Sequence, residues 1–347
     1  QFALQRLLSD PNFLFRLERD PAGIPPATVY GLSDVELASR LSFFLWSSIP
    51  DDQLLNVAIA GRLREPAVLQ AQVRRMLADE RADAMMTNFV GQWLQLRNLE
   101  ARVSPDILMF PDFDDNVRKA FRTETELFFS TIVRENQSAL RLLDADWTFL
   151  NERLAKHYGI SGVYGNRFRK VQLTDPNRRG LLGQGSVLGL TAVANRTSPT
   201  IRGRYVLAVI MNTPPPPPLP VVPALEKSAN PGQKMTTRQT VEAHRRNPVC
   251  ASCHRNIDPV GFALENFDSV GVWRDTTVDG LPIDAAGVLP DGTPVSGPIQ
   301  LREAMLMGSV ALLQIALILT VIFWTDETLF LILVAQIIAM GFGIAAY

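Results

Sequence analysis

Apolar residues recur at intervals of three and four through most of residues 1–212, which predicts helix after helix. The stretch "SDVE", Ser33 to Glu36, is a capping box ahead of "LASRLSFFLW", whose apolar positions keep that spacing. In "EPAVLQAQVRRMLAD", Pro66 takes a first-turn position, and Val68, Val73, Met76 and Leu77 repeat as an apolar set. "ADAMMTNFVGQWLQLRNL" and "NVRKAFRTETELFFSTIVREN" are both amphipathic. "TFLNERLAKHYG" reads as a helix with Asn151 as N-cap and Gly159 just past its end. "SPTIRGRYVLAVIMN" opens with Ser198 as cap and Pro199 at the first helical position. Strand-like alternation is scarce, and "FRKVQL" predicts a small hairpin at most.

The helical pattern stops at "TPPPPPLPVVP". Consecutive prolines run as polyproline II, at about 3.1 Å per residue and without internal hydrogen bonds, so residues 213–235 read as a stiff strut between two packed units. Residues 236–307 form the second, smaller unit. A short helix, "TTRQTVEAHRR", leads it, and the turn-rich segments "DPVG", "VDGLP" and "PDGTPVSGP" follow. From Gly308 the composition changes again. "SVALLQIALILTVIFW" and "LFLILVAQIIAMGFGIAAY" are apolar spans of roughly 16 and 19 residues, or about 24 and 29 Å of helix against a hydrocarbon core near 30 Å. Residues 308–347 therefore predict a pair of hydrophobic helices, either a membrane hairpin or a tail foreign to what precedes it. No Lys or Arg lies beyond Arg302 to orient them. The fold class expected is mainly α: a multi-helix domain, a small second unit and a C-terminal hydrophobic helix pair.

Composition narrows the function more than the fold. Apolar residues are 47 % of the 347, enough for a sizeable core, and the formal net charge is −1. That balance gives no case for binding nucleic acid or anionic lipid, both of which want a basic excess. The chain opens at Gln1 without a charged n-region or an apolar h-region, so it reads as a fragment's start with no signal peptide of its own. Two cysteines cannot make a disulfide framework.

Those two cysteines stand in "PVCASCHRNIDPVG", three apart, with one of the three histidines directly after the second. Cys250-Ala251-Ser252-Cys253-His254 fits C-x-x-C-H, the attachment pattern for c-type haem. Two thiols one helical turn apart can reach two vinyl groups on one porphyrin edge, and the next histidine can bind iron from the proximal face. Zinc is the rival cofactor, because His244, Cys250, Cys253 and His254 supply four suitable ligands. Adjacent Cys253 and His254 diverge on a helix or a strand, which counts against closing both on one metal. Thiol chemistry is the third reading, although no thioredoxin-like βαβ unit is visible.

At this motif the chain resembles a known family. "TPPPPP", followed by "HRRNPVCASCHRNIDPVGFALENFDSVGVWR", closely resembles the planctomycete-type cytochrome c domain. "NRRGLLGQGSVLGLTAVANRTSPTIRGRYVLAVIMNTPPPPPLP" is similar to the family's junction, and "LSDVELASRLSFFLWSSIPDDQLL" and "FVGQWLQLRNL" are similar to its preceding helical domain of unassigned function. The resemblance covers nearly residues 1–305. It implies an exported haem-binding module for electron transfer. The apolar tail departs from it, since the family usually continues into another small soluble domain.

The expectation is an extracytoplasmic c-type cytochrome-like protein carrying electrons through one haem held by Cys250 and Cys253, with His254 as proximal ligand. It is periplasmic, or membrane-associated and facing the periplasm, with a redox partner protein and an anchor at 308–347. Two alternatives stay open: a haem-dependent oxidoreductase with its substrate site in the helical domain, and a zinc-stabilised structural or interaction module. His244 is the candidate sixth ligand or a hydrogen-bonding cap, and Met235, Met305 and Met307 are other candidates. His157, at a helix C-terminus, reads as serving the helix dipole. Arg196, Arg202 and Arg204 read as a solvated helix start in preference to groups that bind haem propionates or a partner's acidic face. Phe262, Leu264 and Phe267 read as packing on a porphyrin or a local core, and Glu265 and Asp268 as turn and capping groups. Asp144 and Asp146 invite a hydrolase reading, with no nucleophile or metal set to support it.

Overall fold

Caps and packing place the helices much where the pattern puts them. The structure, a computed structural model, describes residues 2–11, 23, 25, 28, 30–217 and 235–307. The chain divides into two units, Gln1–Ala84 and Met85–Tyr347.

In the first unit, α1 (Phe2–Leu8) buries nothing. Helix α2 (Asp34–Trp46) starts at Ser33, whose side chain and that of Glu36 complete the capping box. Helix α3 (Asp52–Ile59) is capped by Asp51, which accepts from the Leu54 amide at 3.0 Å. Pro66 occupies the first turn of α4 (Pro66–Ala78). The buried face of α4 is Leu69, Gln72, Val73 and Met76. The apolar pattern had chosen Val68 and Leu77 instead, because it discounts a polar position; Gln72 is buried with its side-chain oxygen accepting from Arg75 Nε at 3.0 Å. Helix α2 packs on both α3 and α4.

Asp34 ties this unit together from the first turn of α2. It is 6 % exposed and accepts from the Leu63 amide at 2.7 Å and from Arg64 Nε. Leu63 is fully buried, so its amide has no water to turn to. Asp34→Ala should therefore cost about 2 kcal/mol in a denaturant titration, and Asp34→Asn, which keeps an acceptor, clearly less. Equal losses in the two variants would show that the amide bond is not what matters.

The second unit begins within the first turn of α5 (Asp83–Trp93) and goes on to the long α6 (Asp115–Arg134), capped by Asp114 accepting from the Val117 amide at 2.8 Å. Strand β1 (Trp147–Leu150) comes next, then α7 (Glu152–His157), then β2 (Arg169–Gln172). Asn151 caps α7 as expected, and Gly159 has φ +70°. The strand in "FRKVQL" makes no local hairpin. It pairs antiparallel with β1 across the intervening helix, Trp147 opposite Gln172 and Leu150 opposite Arg169. The residues "TFL", ahead of the Asn151 cap, are therefore strand, and Trp147 lies on Phe128 of α6 with ring centroids 4.9 Å apart.

Two short hairpins follow in the chain, β3–β4 (Ala192–Val193, Arg196–Thr197) and β5–β6 (Ala286–Val288, Pro294–Ser296). Between them lie α8 (Pro199–Tyr205), which runs on into a π turn at Val206–Ile210, then α9 (Thr237–His244) and α10 (Pro248–Phe262). Helix α11 (Gly297–Met307) ends the described chain. One apolar core joins Leu182, Val187, Tyr205 and Val206 to Val260, Leu264, Leu301 and Met305. Segments before and after the proline run therefore share one core, and the main division falls at residues 84 and 85. Most of the expected strut at 213–235, and the whole expected helix pair at 308–347, lie outside the described residues. Among the described residues no helix is long and apolar enough to cross a membrane.

Candidate functional site

Helix α10 carries the cysteine motif. Asn247 caps it, accepting from the Val249 amide at 3.0 Å, and Pro248 stands in its first turn, where its missing N–H costs nothing. The residues "DPVG", expected to turn, continue the helix to Phe262 despite Pro259 in its interior. What holds them helical is α8, whose packing on α10 is the most extensive contact between helices among the described residues. The two backbones meet at glycines. A Cβ on Gly261 would overlap the Pro199 carbonyl oxygen, and a Cβ on Gly203 would overlap that of Ile257.

Cys250, Cys253 and His254 sit at i, i+3 and i+4, and so share one face of α10. Ile257, Asp258 and Gly261 continue the same face. The two halves of that face differ in cover. Ile257 and Asp258 are 6 % and 0 % exposed beneath α8, while Cys250, Cys253 and His254 are half-buried and Val249 is 55 % exposed. Both cysteines are free thiols.

His254 is anchored on one side only. Its Nδ1 donates to both oxygens of Asp258, at 3.0 and 3.1 Å. Asp258 in turn accepts from Thr200 Oγ1 of α8 at 2.9 Å and lies 4.0 Å from Arg245 Nε. No hydrogen bond reaches His254 Nε2 among the described residues. The donor set thus consists of two thiols one turn apart and an imidazole nitrogen left open, which fits a covalently held haem. His244 lies ring against ring with His254, centroids 5.0 Å apart and planes at 63°. Burial, with the neighbouring His254, lowers its pKa. The His244 ring thus stands beside that of His254 in this arrangement. Among the described residues no three His, Cys, Asp or Glu side chains converge on a point where a metal could bind. The four candidate zinc ligands are therefore not gathered in this arrangement.

A cavity of about 810 Å³ touches the same helix through Arg255, Asn256, Pro259 and Phe262, and through neither cysteine nor His254. It lies on another face of α10 from the thiols.

Residues 32–160 match the family model PSD4, protein of unknown function (DUF1592), and residues 178–277 match PSCyt3, protein of unknown function (DUF1588). Both are domains of the planctomycete cytochrome c family, in keeping with the resemblance seen in the sequence. No curated protein and no solved structure matches the chain.

The PSCyt3 region contains α8 and α10 and with them the whole His254–Asp258–Thr200 arrangement. It also corrects the reading of its arginines. Arg202 is fully buried and donates to the carbonyls of Leu264, Phe267 and Asp268, which locks the segment after α10 onto α8. Burial lowers its pKa to about 10. Arg202 is therefore no part of a solvated helix start, and Arg196 lies in β4. Arg178 is likewise buried, donating to the Gly183 and Gly271 carbonyls with its guanidinium 4.0 Å over the Tyr158 ring. Phe262, Leu264 and Phe267 belong to the core, each at most 1 % exposed. Asp268 makes a turn by accepting from the Val270 and Val272 amides, and Glu265 pairs with Arg274 at 3.1 Å.

The other candidates disperse. His157 donates from Nε2 to the Val270 carbonyl at 2.7 Å, and burial lowers its pKa, so its ring fastens α7 to the PSCyt3 region. Met305 is core, Met307 is 84 % exposed and Met235 is half-buried ahead of α9. Asp144 and Asp146 both pair with Arg141, at 3.3 and 2.6 Å. In the PSD4 region, Glu124 of α6 is buried and accepts from Thr148 Oγ1 at 2.7 Å and from Tyr158 OH at 2.6 Å. Burial pushes its pKa up to about 7. Asp258 was legible in principle, as a carboxylate four residues beyond the motif histidine. Thr200 and Arg202 were not, because their partners lie more than fifty residues away in sequence.

Proposed function

We propose that the chain is an extracytoplasmic, c-type cytochrome-like electron carrier, with one haem bound covalently through Cys250 and Cys253 and His254 as the proximal ligand. The observation that carries this reading is the half-covered face of α10. Two free thiols stand beside an imidazole whose Nδ1 is anchored and whose Nε2 is open. The match of residues 178–277 to PSCyt3 supports it.

When bound, haem supplies a one-electron couple that no side chain of this protein offers. The chain's own work is to hold and orient it. Cys250 and Cys253 would hold it through thioether bonds, each thiol adding across a vinyl group, sulfur to one carbon and hydrogen to the other, with no leaving group. The thiols must be reduced when they react, and attachment of this kind belongs outside the cytoplasm, where a passing disulfide is the competing fate. His254 offers Nε2 because Asp258 holds the proton on Nδ1. The carrier reading is preferred because three acidic groups that invite a catalytic reading have structural partners: Asp144 and Asp146 pair with Arg141, and Glu124 accepts from Thr148 and Tyr158.

Protein matured in an export-competent host should keep its haem stain on a denaturing gel, gain the mass of one haem and give a c-type pyridine haemochrome spectrum. Cys250→Ser with Cys253→Ser should abolish all three. A wild-type chain that emerges from the same host with no added mass overturns the reading.

A further inference from the structure

We propose that Asp258 is a positioning residue that sets the tautomer of His254 and, through it, holds the reduction potential of the bound haem low. The inference rests on the proposed role of His254 and goes beyond it, because it names the group that decides how good a donor Nε2 is.

The arrangement is more specific than a chance helix pair. A histidine and an aspartate at i and i+4 on a solvent-facing helix meet often and weakly. Here the carboxylate is fully buried, while the ring beside it is only partly covered. Both carboxylate oxygens face Nδ1. The carboxylate does not depend on the histidine for its place. Thr200 Oγ1 donates to Oδ1 from α8, and that helix is held against α10 by the backbone contacts at Gly203 and Gly261. Arg245, next to α9, stands 4.0 Å from Oδ2. Among the described residues, the charged or titratable groups that stand against the pair are the Arg245 guanidinium, near the carboxylate, and the His244 imidazole, near the ring.

Two consequences follow from general chemistry. A ring whose Nδ1–H is committed to a carboxylate presents Nε2 as its lone-pair nitrogen, so the tautomer is fixed before any metal arrives. A hydrogen bond to an anionic acceptor also makes the ring a stronger donor than one to a neutral acceptor. A stronger donor favours the ferric over the ferrous ion, which carries one positive charge less, so the potential falls. Thr200 moderates the effect by drawing on the same carboxylate.

Two measurements separate this proposal from the haem reading itself. In the haem-free chain, nitrogen NMR of the labelled imidazoles, recorded where the rings are neutral, should show His254 protonated at Nδ1; Asp258→Asn should remove that bias. In the haem-loaded chain, spectroelectrochemical titration of Asp258→Asn should show the ferrous-to-ferric ratio at a fixed poise raised about tenfold, which is about 59 mV for a one-electron couple. Thr200→Val leaves both His254 and Asp258 in place. It should lower the ratio, by less than Asp258→Asn raises it, because the carboxylate loses a competing donor, and it carries the test should Asp258→Asn fail to fold. A wild-type chain without haem overturns the haem reading, while the tautomer still decides the role of Asp258. Loaded variants whose ratio stays within about twofold of wild type, or a His254 that is not Nδ1-protonated in the haem-free wild type, overturn this proposal.

Discussion

Gly261→Ala should destabilise the second unit by about 3 kcal/mol, against the direction that helix propensity would give. Alanine in a helix interior is ordinarily favoured over glycine by about 1 kcal/mol. At Gly261 the added methyl would fall on the carbonyl oxygen of Pro199, a backbone atom that no rotamer change can move aside. Relief requires α8 and α10 to part, and with them the bonds from Thr200 to Asp258 and from Arg202 to three carbonyls. Gly203→Ala attacks the same joint from the other helix, at the carbonyl of Ile257. Since the helices need part only once, the double variant should cost less than the two single losses added together. Urea unfolding of the three variants checks both statements. A Gly261→Ala protein as stable as wild type would mean that the helices do not touch in this way.

Stability should fall from about pH 4.5 to about pH 8 by an amount on the order of 3 kcal/mol that Glu124→Gln removes. Among the described residues, Glu124 is the carboxyl whose pKa is raised as far as about 7. Burial is the cause, and the bonds from Tyr158 and Thr148 and the charge of Arg178 only partly oppose it. For an acid with a raised pKa, the folded state binds more protons than the unfolded one between the two values. Its contribution is therefore full below the unfolded pKa and is lost as pH rises through 7. The surroundings show why glutamine is tolerated. Tyr158 OH accepts from the Gly185 amide, so its own hydrogen goes to Glu124 Oε2, which must remain an acceptor. Oε1 faces the hydroxyl of Thr148, which can turn to accept from an amide as readily as it donates to a carboxylate. Denaturation midpoints at about pH 5 and about pH 8 decide the matter: parallel losses in wild type and variant would place the pH dependence elsewhere.

What could be read from the sequence was local. Ser33, Asn151 and Ser198 cap their helices because a cap needs only the next three residues, and all three are found doing so. The thiol and histidine spacing was legible for the same reason, since one helical turn decides which side chains share a face. The misreadings lie where a distant partner overrides local preference. "DPVG" has the composition of a turn and is helix because α8 lies on it. "FRKVQL" has the alternation of a local hairpin and instead pairs with Trp147–Leu150 across an intervening helix. Arg202 has the charge of a surface residue and is buried because three carbonyls, more than sixty positions further on, need donors. Gln72 was passed over as polar, although its neighbour Arg75 satisfies its oxygen.

The half-covered face of α10 also bears on when its thiols can react. Residues 257–262 cannot leave the helix without pulling α8 away, which means opening the core of the whole unit. Residues 249–253 carry no such obligation: they can unwind from the N-terminal end and rewind while the rest stays folded. Local openings of that kind need far less free energy than global unfolding. If haem attaches as proposed, a machinery that needs an extended segment can take Cys250 to Cys253 from the finished fold by local opening, and reaches His254 only by breaking its bond to Asp258.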